Sequence, residues 1–88
     1  MANVRKNGTQ EVTMHIKLDP SVLDQARESL DLKSDEKLGA KIGRTGHTIR
    51  QWRKGNSVPS AQDLVKLQFI TGRPYGNMLI VSDNTAAA

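Results

Sequence analysis

The sequence predicts a mainly α domain (α+β) of four to five helices with a short β-strand near each end. Three observations carry this. Apolar residues recur at helical spacing through the middle of the chain, as in Leu23, Ala26 and Leu30 or Leu38 and Ile42. The stretch EVTMHIKL (11–18) alternates instead, with Val12, Met14, Ile16 and Leu18 on one side and Thr13, His15 and Lys17 on the other, the period of a half-buried strand. Finally, 88 residues without cysteine suit one small domain whose core has no disulfide or thiolate metal site to reinforce it.

Residues 1–10 are polar and read as a flexible arm, and the first strand covers 11–18. Asp19-Pro20 ends the strand, and Pro20 or Ser21 opens a helix that stops near Leu32. Ser34 is a suitable N-cap for a second helix, with Asp35 and Glu36 placed to favour its dipole. Leu38 and Ile42 form its inner edge, and Gly43 breaks it. A third helix runs from about Thr45 to Lys54, with Ile49 and Trp52 inward and Gly55 as its stop signal. After the loop Asn56–Pro59, Ser60 and Asp63 make a capping box for a fourth helix. Ala61, Leu64, Val65, Leu67 and Ile70 give that helix a broad apolar face. Thr71–Gly76 reads as a turn, residues 77–81 as a second strand and 82–88 as a frayed tail. The two strands pair with each other, with a second copy of the chain, or with both, since neither is stable alone.

Charge is segregated along the chain. From Asp19 to Glu36 the acids Asp19, Asp24, Glu28, Asp31, Asp35 and Glu36 face only Arg27 and Lys33. From Lys37 to Gln62 there is no acid, while Lys37, Lys41, Arg44, Arg50, Arg53 and Lys54 all occur. A one-signed surface suits a polyanion, because each phosphate neutralised releases counterions. No apolar run is long enough to span a bilayer and the N-terminus lacks a secretory pattern, so a cytoplasmic protein is expected. The histidines are far apart, no phosphate-binding glycine fingerprint is present and no metal-ligand spacing occurs. An enzyme, a cofactor, a metal and a small-molecule substrate are therefore not expected.

Residues 42–55, IGRTGHTIRQWRKG, admit two readings. Isoleucine and glycine at these intervals occur in the loop of KH domains, which clamp single-stranded nucleic acid. That reading requires strands soon after Gln51, where WRKGNSVPSAQDLVKL goes directly to another helix. The second reading accounts for more residues. Ser34, Leu38, Gly39, Ile42, Gly43, Ile49, Trp52, Gly55, Pro59, Ser60 and Leu64 follow in order and without gaps, and over 34–67 the chain resembles the helix-turn-helix of the phage Cro and repressor family (Cro-like, XRE-type). The physics of such a motif asks for the same residues. Gly39 allows close approach of the two helices, Gly43 tolerates a positive φ in the turn, and Leu38, Ile42, Ile49 and Trp52 form the shared core.

Two positions depart from the family pattern. Arg44 stands where an aliphatic residue is usual, which suggests that it points outward. Asp35 stands where many relatives carry a phosphate-binding glutamine, and a carboxylate there repels phosphate.

The resemblance makes the third helix a recognition helix, with His47, Arg50, Gln51 and Lys54 on one face opposite Ile49 and Trp52. Arg50 is suited to guanine O6 and N7 and Gln51 to adenine N6 and N7, with Thr45 and His47 at the tip completing the base-reading set. Arg44, Arg53, Lys54, Asn56 and Ser57 are the expected phosphate contacts, which position without specifying. Arg44 could equally be a spectator. Arg5 and Lys6 read as part of a solvated arm, with a minor-groove role the alternative, and His15 as an ordinary strand residue.

The expected function is that of a Cro-like transcriptional repressor in a bacterial host cell, binding a pseudo-palindromic operator in double-stranded DNA as a homodimer, either preformed and weak or induced by DNA. Its small size leaves no room for a separate sensor domain. The alternative is an antitoxin or other protein-interaction module on the same scaffold.

Overall fold

The computed structural model describes residues 14–83. The expected arm at 1–10 with Arg5 and Lys6, the strand start at 11–13 and the chain after 83 lie outside the described residues. The element order is β1 (Met14–Leu18), α1 (Pro20–Ser29), α2 (Asp35–Ile42), α3 (Gly46–Lys54), α4 (Ala61–Thr71), a 3-10 turn at Tyr75–Asn77 and β2 (Leu79–Asp83). Among the described residues, four helices and a two-stranded antiparallel sheet make a small, mainly helical domain. No helix among the described residues is long and apolar enough to cross a membrane.

Each helix starts where a short polar side chain satisfies free backbone N–H groups. Asp19 accepts from Ser21 N at 2.9 Å, and Pro20 opens the helix at a position needing no N–H. Ser34 Oγ accepts from Lys37 N at 3.1 Å, and Thr45 Oγ1 accepts from Thr48 N at 3.1 Å. The Ser60–Asp63 capping box is present in both directions, at 3.2 and 3.0 Å.

Helix α1 ends earlier than expected, at Ser29. Asp31 takes up φ 54, a left-handed conformation that aspartate tolerates better than most residues. Leu30 falls at the cap and is exposed, and Val22 joins Leu23 and Ala26 in the core in its place. Arg27 fastens the following loop, donating to Lys33 O at 2.6 Å and Leu32 O at 3.4 Å.

The core is one cluster with members from every helix: Val22, Leu23 and Ala26 of α1, Leu38 and Ile42 of α2, Ile49 and Trp52 of α3, and Leu67 of α4, together with Leu18 and Met78. Leu32, Leu64, Ile70 and Leu79 pack against its edge. The apolar face of α4 is narrower than its composition suggests. Val65 is exposed, and Phe69 is 84 % exposed although it lies within the same helix. Helical spacing alone does not separate these positions, because apolar residues occur all round α4.

The strands pair with each other within the chain, Ile16 opposite Val81 and Leu18 opposite Leu79. The second strand starts two residues later than expected because Tyr75–Asn77 forms a 3-10 turn, so residues 82 and 83 belong to β2 rather than to a tail. Asp19 N donates to Met78 O at 2.8 Å, which fixes the start of α1 to the start of β2. Only this inner end is covered. Leu18 and Met78 are fully buried, while Ile16 and Val81 are 45 % and 53 % exposed. Alternation assigned Ile16 to the apolar side, and it does pair there, but among the described residues it is left half-exposed.

Candidate nucleic-acid interface

Helices α2 and α3 are joined by three residues, Gly43 to Thr45, and the junction is shaped by two glycines. Gly43 caps α2 in the left-handed conformation, φ 79, which a Cβ would strain. Gly39 lies one turn earlier and faces the turn directly. A Cβ there would stand 2.6 Å from the Arg44 carbonyl oxygen and within 2.9 Å of the Thr45 carbonyl. Arg44 N donates to Gly39 O at 2.7 Å, so the turn is folded back onto the very residue that leaves room for it. Leu38, Gly39, Ile42, Ile49 and Trp52 are all buried.

With Ile49 and Trp52 anchoring its back, α3 presents His47, Arg50 and Lys54 exposed and Gln51 half-buried along its front. The expected division of this helix into two faces is therefore what the structure contains. The individual side chains differ in how free they are. Thr45 is committed as the α3 cap and also donates to Thr48 Oγ1 at 3.2 Å. Gln51 Oε1 accepts from Asn56 Nδ2 at 3.0 Å, and Asn56 N donates to Gln51 O at 3.0 Å, so these two residues fix each other at the end of α3. Ser57 is exposed in the loop beyond.

Two of the expected phosphate contacts are engaged elsewhere. Arg53 uses all three guanidinium nitrogens inside the protein: Nε and Nη2 donate to Asp35 at 3.1 and 2.9 Å, and Nη1 donates to Asp24 at 2.7 Å. This guanidinium holds α3 to α1 and α2 in place of standing free for a phosphate. Arg44 points outward from the turn but bends to Asp63 at the start of α4, through Nε at 2.9 Å and Nη2 at 3.1 Å. Its opposite edge is not used in either bond.

The acids respond accordingly. The Arg53 hydrogen bond outweighs burial and holds the Asp35 carboxyl below its ordinary range. Burial would raise Asp63, but the Arg44 bond and the donors of Ser60 hold it below the ordinary range too.

These pairs change the meaning of the charge segregation. The acid-free stretch 37–62 is not acid-free in space, because Asp24, Asp35, Glu36 and Asp63 return to Arg53, Arg50 and Arg44 from the flanking elements. Among the described residues Lys37, Lys41 and Lys54 make no ion pair. Part of the segregation thus serves folding. The same folding explains Asp35, which the sequence reading treated as an obstacle to phosphate. It is 9 % exposed and turned toward Arg53.

Sequence reasoning passed over two residues here. Lys17 of β1 lays its stem beside Gly55 at the end of α3, where an added Cβ would lie 3.2 Å from Lys17 Cδ. Lys17 is exposed, and the glycine it packs beside stands between Lys54 and Asn56 in the chain. Strand alternation places Lys17 on the polar side but does not reveal this neighbour. The other is Glu36, which accepts from Arg50 Nη1. Compared with known protein families, with curated proteins and with solved structures, the chain finds no match.

Proposed function

We propose that the chain is a sequence-specific DNA-binding protein of the repressor type, in which α2, the Gly43–Thr45 turn and α3 act as a helix-turn-helix and α3 enters the major groove. One observation carries this reading: α3 is locked into the core by Ile49 and Trp52 while His47, Arg50 and Lys54 are exposed together on its other side. A rigid helix with a polar, cation-bearing front is what direct readout of base edges requires. Arg50, Gln51 and His47 are the base-reading candidates. Lys54, Asn56 and Ser57 at the far end, joined by Lys17, are the phosphate-contact candidates.

One helix reads only a few base pairs, so two copies on an inverted repeat are part of the reading. Exposed Ile16 and Val81, opposed on the ribbon, are the proposed surface for that contact. The same exposed residues, with Phe69, are what favours a protein-interaction module as the second reading.

Selection of random-sequence duplex DNA on the protein, with single-stranded RNA as competitor, tests both. An inverted repeat is expected from the wild type and is lost in Arg50→Ala/Gln51→Ala, which should retain only salt-sensitive, non-specific binding. Efficient competition by RNA, or recovery of the same repeat by the double variant, defeats the proposal.

A further inference from the structure

Arg50, the residue best suited to guanine, does not stand free. Glu36 is the second residue of α2 and Gly46 the first of α3. The Glu36 side chain occupies the space beside Gly46: a Cβ at that glycine would lie 2.7 Å from each of Glu36 Cγ, Cδ and Oε2. From this seat Oε2 accepts a hydrogen bond from Arg50 Nη1. The Arg50 bond holds the Glu36 carboxyl below its ordinary range, so it is charged at neutral pH.

The pair is exposed, with side-chain accessibilities of 45 % for Arg50 and 61 % for Glu36, and exposed pairs contribute little to stability. A carboxylate on α2 beside the front of α3, the helix proposed to meet a polyanion, also weakens attraction to every phosphate. Its place in the first turn of α2 favours that helix's dipole, but neither stability nor affinity accounts for its pairing with Arg50. Selectivity does. An unrestrained arginine can turn to any phosphate or acceptor it meets. With Nη1 held by Glu36, Arg50 is left to present its Nε and Nη2 edge in a defined plane, the geometry of bidentate bonding to guanine O6 and N7.

We propose that Glu36 is a positioning residue for Arg50: it confines the guanidinium to a guanine in the major groove and lowers binding to DNA that lacks one there. The proposal rests on the DNA-binding reading above. Gly46 is part of the device, because only a residue without a side chain leaves Glu36 its seat.

The test compares wild type, Glu36→Gln, Gly46→Ala and Arg50→Ala by fluorescence anisotropy, on the selected duplex, on the same duplex with each guanine replaced in turn, and on an unrelated duplex. Glu36→Gln should bind the unrelated duplex several-fold more tightly and lose roughly tenfold of the discrimination at one guanine position, the same position lost in Arg50→Ala. Gly46→Ala, which displaces Glu36 without changing charge, should lose that discrimination and, with Arg50 released, bind the unrelated duplex more tightly than wild type, though less so than Glu36→Gln, which also removes a negative charge. In the free protein the Arg50 Nε–H resonance should report slowed guanidinium rotation in wild type and faster rotation in Glu36→Gln. Unchanged discrimination in Glu36→Gln, with a selective wild type, overturns the role of Glu36 and leaves the DNA reading standing. A wild type that does not distinguish selected from unrelated duplex overturns both.

Discussion

Replacing Gly39 with valine is expected to prevent folding, and replacing it with alanine to destabilise the domain despite alanine's better helix propensity. Gly39 lies inside α2, where glycine costs roughly 1 kcal/mol relative to alanine. Against that gain stands the contact of an added Cβ with the Arg44 and Thr45 carbonyls at 2.6–2.9 Å. These are backbone atoms, so relief means moving α3 away from α2, and the core between Leu38, Ile42, Ile49 and Trp52 opens with it. Overpacking of this kind costs about 1–3 kcal/mol and should outweigh the propensity gain for alanine, with the branched valine well beyond it. For a domain whose whole stability is on the order of 5–10 kcal/mol, a net loss of about 1 kcal/mol, the overpacking cost less the propensity gain, lowers Tm by roughly 4–8 °C. Thermal melts followed by circular dichroism would show this. Gly46→Ala is the control, since the three atoms nearest its new methyl all belong to the flexible Glu36 side chain, and it should melt within a few degrees of wild type. Equal Tm for Gly39→Ala and wild type would mean that the two helices are not held this closely.

The contrast between the two glycines also shows which parts of the molecule were legible in the sequence. Ser34, Thr45 and Ser60 with Asp63 announce helix starts because a cap is a local transaction between residues two or three apart. Gly43 announces a turn for the same reason. The buried back of α3 was legible because Ile49 and Trp52 repeat at helical spacing while His47, Arg50 and Lys54 fall on the other side. Gly39 stood out as a small residue inside a helix, and the structure supplies its neighbour.

What escaped the sequence are relations between distant elements. Nothing local in Arg53 separates a phosphate contact from a structural clamp. The difference lies in Asp24, twenty-nine residues earlier, and in Asp35, eighteen earlier. The acid-free stretch looked like a binding surface because its counter-charges lie in other elements. Strand alternation likewise put Ile16 on the apolar side of the ribbon without saying what covers that side, and the helices cover only its inner end at Leu18.

Asp35→Asn should produce the second large loss, one that depends on pH in a defined sense. Asp35 receives Arg53 through two bonds and Arg27 through a third at 3.4 Å, and it is almost withdrawn from water. An asparagine keeps the shape but turns an amide donor toward guanidinium donors, leaving Arg27 without its charge partner and Arg53 with Asp24 alone. Breaking a buried pair from one side costs about 3–5 kcal/mol, and about 2–4 kcal/mol is expected here because Arg53 keeps a quarter of its side chain in solvent.

The folded carboxyl titrates below its ordinary value of 3.8, so the unfolded state takes up a proton first as pH falls. The contribution is therefore fully present above the unfolded value and is lost as pH drops through the folded one. Urea unfolding of wild type and Asp35→Asn should differ most near neutrality and converge as pH falls through the folded carboxyl's own value, below 3.8. A difference independent of pH would assign the loss to packing instead of charge. Removing both partners discriminates further. Asp35→Asn/Arg53→Met should be less unstable than Asp35→Asn alone, because the half-buried guanidinium left with only Asp24 is gone and a stem of similar length remains to fill its place. If the double variant is the weaker of the two, Arg53 stabilises chiefly through Asp24 and the contacts of its stem, and Asp35 is a secondary anchor.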